Sequence, residues 1–363
     1  MNILYYWAEQ DRNMDKWQRV HIFDELQRNG HTIEVFNPLS YKDFNSANEE
    51  FIKSFKSRKN LPDLFMTCAS SEQISVESIS VVKIKSIPTL LICFDNLHAP
   101  FMHKRIAPFF DLVWLTSQET QYLFKKWGCK TIFMPYAANP FKFTSLPGDE
   151  IEAVGFIGSP YGTRIQKINH LIQNNIKCNV YSSANNIKVI NSTNYKKLSN
   201  SLYNLSRFSI GRKVLLGAIK NKIANNSHNK LVMNEYLNLY NSVSFAEMNK
   251  LYSNLALSLG ITELRNTYVL KNPVHKIHLR TFEIPMCGGL QITSFTEELS
   301  SNFEDGKEII LYNSDDELIS KAKFYMKSEN ESLRKKMKLN ARERALKEHT
   351  WSRRFEIIFT QLK

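Results

Sequence analysis

Ala153-Val154-Gly155-Phe156-Ile157-Gly158-Ser159-Pro160-Tyr161-Gly162-Thr163-Arg164 lies near the middle of a 363-residue chain and reads as the start of a folding unit. Ala153–Ile157 is a short apolar run suited to a buried strand. Three turn-forming residues follow, and residues 163–175 then show helical spacing. A first strand at this point leaves about 150 residues upstream, enough for another unit. Those residues alternate in the same way. Strands are expected at Asn2–Trp7, Thr32–Phe36, Leu64–Cys68, Thr89–Phe94, Leu112–Thr116 and Thr131–Pro135. Helices are expected over 16–29, 72–85 and 118–127, with Gly30 and Gly128 just past two of them. Downstream, strands are expected at 178–182, 255–261, 291–295 and 308–312. Helices are expected over 163–175, over 245–254, around Glu283, and throughout the chain from Asp315. Strands alternating with helices imply parallel, doubly wound sheets. Pro147-Gly148-Asp149-Glu150 is polar and turn-forming, a linker between two Rossmann-like units. In such units ligands bind beyond the carboxyl ends of the strands. Two facing sheets would put the site in the cleft between them.

Composition is that of an ordinary globular protein, 43% apolar and 23% charged. This excludes a wholly disordered chain. The net charge of +13 is unevenly placed. Residues 1–151 hold 17 basic and 17 acidic groups, whereas 152–235 hold 12 basic and 2 acidic. From 153 to 234 there is no acidic residue at all. Within that stretch, Tyr195–Lys230 mixes bulky apolar residues with Lys and Arg, as in an interfacial amphipathic helix pair. Nucleic acid is the competing partner for so basic a segment, and a solvated helical hairpin is the plain alternative. The five cysteines are odd in number, widely spaced and without a CxxC pair, so buried free thiols in a reducing cytosol are expected. The N-terminus shows no signal peptide, and no uninterrupted run of about 18 apolar residues marks a transmembrane helix.

Two stretches carry the chemistry. Gly158 and Ser159 open a strand-to-helix turn, where backbone N–H groups and a helix N-terminus favour an anion. Arg164 and Lys167 would fall in the first turns of that helix and neutralise a diphosphate. A tight turn with solvated basic residues accounts for the same pattern. The second stretch is Arg280-Thr281-Phe282-Glu283-Ile284-Pro285-Met286-Cys287-Gly288-Gly289-Leu290-Gln291. A carboxylate in an apolar helix needs hydrogen-bond donors, and a vicinal diol such as a ribose supplies two. Arg280 would meet either Glu283, as an i,i+3 pair, or a phosphate. In the first half, Asp95 follows a strand with His98 beside it, where a carboxylate can act as a general base or hold a hydroxyl. Capping of the next helix is the equal alternative for Asp95. Glu9 and Asp11 are weaker acceptor-side candidates. Asp315-Asp316-Glu317 fits N-capping better than a metal site, and no metal is expected.

KIHLRTFEIPMCGGLQITSFTEEL (276–299), GKEIILYNSDDEL (306–318) and NARERALKEHTWSRRF (340–355), in that order, resemble bacterial glycosyltransferases of the spore-coat CgeB-like group. VGFIGSPYGTR (154–164) and MPYAANP (134–140) fall where that group has similar segments. The resemblance implies the α/β GT-B fold: two Rossmann-like domains facing each other across a cleft, with a helical C-terminus. It implies an acceptor-side domain over 1–147 and a nucleotide-sugar domain over 151–345 carrying a basic insertion at about 185–232. Residues 346–363 would form a helix packing back toward the first domain. It further implies a ribose contact at Glu283 and diphosphate contacts at Arg164 and Arg280. Gly158, Ser159, Lys167, Thr281, Gly288 and Gly289 would complete the donor site. The group's pattern has two Glu separated by seven residues; here His275 stands where the first would be. His275 would hydrogen-bond a sugar hydroxyl or sit in a surface loop. The expected activity is therefore sugar transfer from a nucleotide diphosphate-sugar, as substrate and without cofactor, to an envelope glycan or lipid-linked acceptor. Retention of configuration is implied by the resemblance. An inverting enzyme using Asp95, a nucleic-acid-binding protein and a non-catalytic nucleotide-sugar binder are the rivals. The expected location is cytoplasmic, on an anionic membrane surface through 187–230, with no nucleic acid partner.

Overall fold

The computed structural model describes residues 1–10, 16–182, 195–223, 230–264 and 266–362, with backbone alone for 195–200. The chain forms two compact units. The first is Met1–Asn139 together with the segment from Trp351 onward. Its sheet contains β1 (Asn2–Tyr6), β2 (Thr32–Phe36), β3 (Leu64–Thr67), β4 (Thr89–Cys93), β5 (Leu112–Leu115) and β6 (Thr131–Phe133), in the order β2-β1-β3-β4-β5-β6. Every neighbouring pair is parallel. β3, β4 and β5 are buried along their whole length, which is why they read as unbroken apolar runs rather than alternating ones.

The helix Phe44–Lys56 was not expected from the sequence. Asp43 caps it by accepting from the Ser46 N–H at 2.8 Å, and Phe51 and Phe55 bury one face. The C-terminal helix Trp351–Leu362 joins this first unit through its N-terminus. The buried Glu25 carboxylate accepts from the Trp351 and Ser352 N–H groups at 3.2 and 2.7 Å. A carboxylate there satisfies orphan donors and complements the helix dipole. The Trp351 ring packs 5.9 Å from Trp114.

The second unit is Pro140–Thr350. Its strands are β7 (Ile151–Ile157), β8 (Cys178–Tyr181), β9 (Leu237–Tyr240), β10 (Leu255–Leu259), β11 (Gln291–Ser294) and β12 (Ile310–Tyr312). Their order is β12-β11-β10-β7-β8-β9, again all parallel. Winding reverses between β7 and β10, the switch point at which open α/β sheets bind ligands. The helix Thr163–Gln173 packs Ile168, Leu171 and Ile172 against Val154, Phe156 and Leu257. β9 was not expected; only Leu237 in it is buried. The basic insertion contains two helices, Tyr195–Ser206 and Ser209–Ile223, while 183–194 and 224–229 lie outside the described residues.

The chain from Asp315 is helical nearly throughout, as expected, in three α-helices and a 3-10 turn at Ser328–Asn330. Turns at 327–330 and 349–350 divide it into Asp315–Met326, Glu331–Glu348 and Trp351–Leu362. All five cysteines are free thiols. Among the described residues no helix is long and apolar enough to cross a membrane.

Candidate donor-binding site

β7 ends at Ile157, and the chain turns through two glycines that need their freedom. Gly158 has φ +136°, and its N–H donates to Tyr181 O at 2.9 Å. A Cβ there would lie 3.0 Å from the Arg280 guanidinium. Gly162, at φ +55°, is the N-cap of the helix Thr163–Gln173 and provides no side-chain cap. Arg164 and Arg280 converge on this turn. Their guanidinium carbons lie 5.7 and 5.3 Å from the centre of the same ring, Phe156. Arg164 also stacks on Tyr161 at 4.2 Å and donates to Ser159 O at 3.0 Å. Arg280 keeps one guanidinium nitrogen, Nη1, buried and without a hydrogen-bond partner. Among the described residues neither arginine has a carboxylate partner, and the i,i+3 pair open to Arg280 and Glu283 is not made. Burial and the neighbouring Arg280 charge together pull the Arg164 pKa down to about 10. Two crowded like charges at a helix N-terminus are an arrangement suited to an anion.

Glu283 is 5% exposed on the short helix Arg280–Met286, flanked by the fully buried Phe282 and Ile284. Its negative charge contributes to raising the buried Cys287 thiol, after burial itself. Thr281, on the same helix, is also buried.

His275 is more than a surface loop residue. Its Nδ1 lies 2.9 Å from Thr262 Oγ1, which in turn lies 2.8 Å from Ser294 Oγ. Burial lowers the His275 pKa against the opposing pull of Glu263. It lines a hollow of about 330 Å³ with Lys167, Glu263, Tyr268, Tyr312 and Asp315. Lys167 is engaged here, paired with Asp315, 3.8 Å from Glu263 and resting 5.1 Å over the Tyr312 ring. Glu263 Oε2 is buried with no hydrogen-bond partner.

The structure therefore brings Gly158, Ser159, Arg164 and Arg280 together, and sets Lys167 and His275 on the wall of one hollow. Gly288 and Gly289 fall elsewhere. They follow the C-terminal end of a seven-residue helix, roughly 10 Å from Arg280 along its axis. Packing explains both: a Cβ would lie 2.8 Å from Ser145 Oγ at Gly288 and 2.5 Å from Tyr252 O at Gly289. In the first unit Asp95 is exposed and His98 half-buried in the turns after β4. Asp95 does not cap the next helix; Ala99 precedes Pro100–His103, and no side chain caps it. Glu9 is ion-paired with Arg19, and Asp11 lies outside the described residues. Ser314 caps the helix whose first turn holds Asp315, Asp316 and Glu317. Among the described residues no group of three or more His, Cys, Asp or Glu is arranged to hold a metal ion. Sequence reading missed Thr262, Glu263 and Tyr268. Their signal was available: they follow β10, the strand across the switch point from β7.

Residues 212–360 match the family model described as glycosyl transferase-like. No curated protein matches the chain by sequence. Several solved structures share the whole architecture. Anabaena Alr3699/HepE in complex with UDP aligns over 99% of each chain, with TM-score 0.60 and 14% identity. A glycosyltransferase from Rickettsia africae ESF-5 aligns over 100% of this chain and 98% of its own, with TM-score 0.62 and 12% identity. An alpha-glucosyltransferase in complex with UDP-glucose and DNA containing an abasic site aligns over 100% and 99%, with TM-score 0.62 and 12% identity. The chain thus has the GT-B glycosyltransferase fold, and its residues 212–360 are glycosyl transferase-like in sequence.

Proposed function

We propose that this chain transfers a sugar from a nucleotide diphosphate-sugar, held by its second unit, to a glycan or lipid-linked acceptor. The observation that carries this reading is the Arg164–Arg280 pair, part-buried at the switch point with no carboxylate partner among the described residues. A diphosphate supplies the missing negative charge in bidentate geometry. In transfer, the same two guanidiniums and the helix N-terminus stabilise charge on the departing diphosphate. Glu283 accepts from the ribose hydroxyls, and Gly158 and Ser159 bring backbone close to the phosphates. The HepE structures with UDP and with UDP-glucose support uridine diphosphate as the carrier. Retention of configuration follows the CgeB-like resemblance, and independence from metal follows neutralisation of the diphosphate by the two arginines and backbone amides. An inverting reaction would need a base, for which Asp95 is the candidate.

The acceptor and the location rest on the basic insertion. Helix Ser209–Ile223 exposes Arg212, Lys213, Lys220 and Lys222 beside Leu216, Ile219 and Ile223, a surface suited to anionic lipid. Sedimentation with phosphatidylglycerol-rich liposomes, weakened by salt, is expected; equal sedimentation with neutral liposomes removes this part of the reading. A second reading has one specific support. A structural neighbour is described with DNA and UDP-glucose together, and the same cations would suit a nucleic acid acceptor. The decisive assay follows UDP release from a panel of UDP-sugars with lipid-linked glycan, soluble glycan or DNA added. Stimulation by a glycan is expected, stimulation by DNA alone selects the second reading, and no release from any donor contradicts both.

A further inference from the structure

We infer that Asn221 and Tyr268 are positioning residues for the donor site, through which the basic insertion holds the phosphate-binding turn in place; this rests on Arg164 being a diphosphate ligand. The insertion helix Ser209–Ile223 packs directly on the backbone of the turn Thr267–Val269. The contact is as close as backbone allows: a Cβ on Gly217 would lie 2.4 Å from Asn266 O. Asn266 is held at φ +70°, a left-handed conformation uncommon outside glycine. Asn221 Nδ2 donates to Asn266 Oδ1 at 3.2 Å, and Tyr268 Oη donates to Asn221 Oδ1 at 2.8 Å.

Tyr268 then reaches the site. Its ring edge lies 3.4 Å from where a Cβ on Gly162 would be. Gly162 is the left-handed N-cap of the helix that carries Arg164 as its second residue. The first helical bonds start there, with Arg164 N–H donating to Tyr161 O and Ile165 N–H to Gly162 O, both at 3.1 Å. Gly162 has little intrinsic preference for its conformation, so the turn is set by what packs on it. The Tyr268 ring packs on that turn, and the insertion orients the ring through one hydrogen bond. The insertion helix Ser209–Ile223 is therefore structurally joined to the diphosphate site by two side chains, neither of which needs to touch the donor.

The test is UDP affinity by calorimetry for the full chain and for Tyr268→Phe, Asn221→Ala, Arg164→Ala and the Tyr268→Phe/Arg164→Ala pair. Tyr268→Phe keeps the ring on Gly162 and removes only the hydrogen bond. Each of Tyr268→Phe and Asn221→Ala is expected to weaken UDP roughly three- to tenfold with little change in thermal midpoint. Gly217→Ala should give a loss in the same direction by forcing the helix off the turn. In the Arg164→Ala background Tyr268→Phe should have no further effect, because the strut acts through Arg164. A merely structural role would lower the midpoint and leave the effects additive. Wild-type binding with unchanged affinity in Tyr268→Phe and Asn221→Ala overturns this inference alone, as does a loss that persists without Arg164. Failure of the wild type to bind UDP overturns the donor reading and this inference together.

Discussion

Arg164 and Arg280 lie against one aromatic ring, Phe156, and their like charges oppose each other. Burial first, and the Arg280 charge second, bring the Arg164 pKa down to about 10, which together correspond to roughly 3 kcal/mol against its charged form. An anion would offset that cost, and removal of the Arg280 charge relieves its coulombic share. Arg280→Met, which keeps an apolar stem over Phe156, is therefore expected to leave the ligand-free thermal midpoint unchanged or raised. The same variant should lose nucleotide affinity by roughly ten- to a hundredfold. A lowered midpoint with intact affinity would mean that Arg280 is structural. Glu283→Ala should cost UDP affinity on a similar scale without unfolding the protein, measured by calorimetry and circular dichroism. At this scale the sequence was informative where chemistry and position coincide. The meeting of Arg164 and Arg280 was legible because charged residues beside a strand-to-helix turn demand a partner, and Glu283 was legible as a buried carboxylate in an apolar helix. Packing accounts for Gly288 and Gly289, and a glycine required for packing looks the same in sequence as one required for ligand approach.

The elements were legible where burial is two-sided and obscured where it is not. β3, β4 and β5 are apolar throughout, whereas β9 buries only Leu237 and sits at a sheet edge after a basic stretch. The helix Phe44–Lys56 begins Phe-Asn-Ser-Ala-Asn, mostly weak helix formers, and stands on its cap and two buried phenylalanines. The turns after β4 contain a further consequence. His103 is buried with Nδ1 3.2 Å from Ala69 O, and burial drops its pKa to about 4. The unfolded chain would protonate this histidine near 6.5. Stability from its neutral form is thus complete above pH 6.5 and is lost as pH falls toward 4, by up to about 3 kcal/mol. His103→Gln should flatten that dependence. Urea midpoints at pH 7.5 and 5.0 check it: the difference should shrink in the variant, and an unchanged difference assigns acid sensitivity to other groups.

At the scale of the molecule, alternation was enough for two parallel sheets, though it missed the edge strand β9, and the return of the C-terminal helix to the first unit was an expectation of the family resemblance. What alternation could not give was the division of labour between the strand ends, because that depends on strand order. Only the order β12-β11-β10-β7-β8-β9 shows that the turn after β7 and the loop after β10 flank one switch point. Neutralisation of the diphosphate by arginines and a helix N-terminus leads to a further expectation. UDP binding should survive EDTA, and rescue of a chelated sample by manganese would indicate a metal-bridged donor instead. The central claim is that the second unit holds a nucleoside diphosphate on Arg164 and Arg280. Its most direct measurement is calorimetric titration of UDP into the wild type and into the double variant Arg164→Gln/Arg280→Gln. The account predicts saturable one-to-one binding by the wild type and none detectable in the folded double variant; equal binding by both would contradict it.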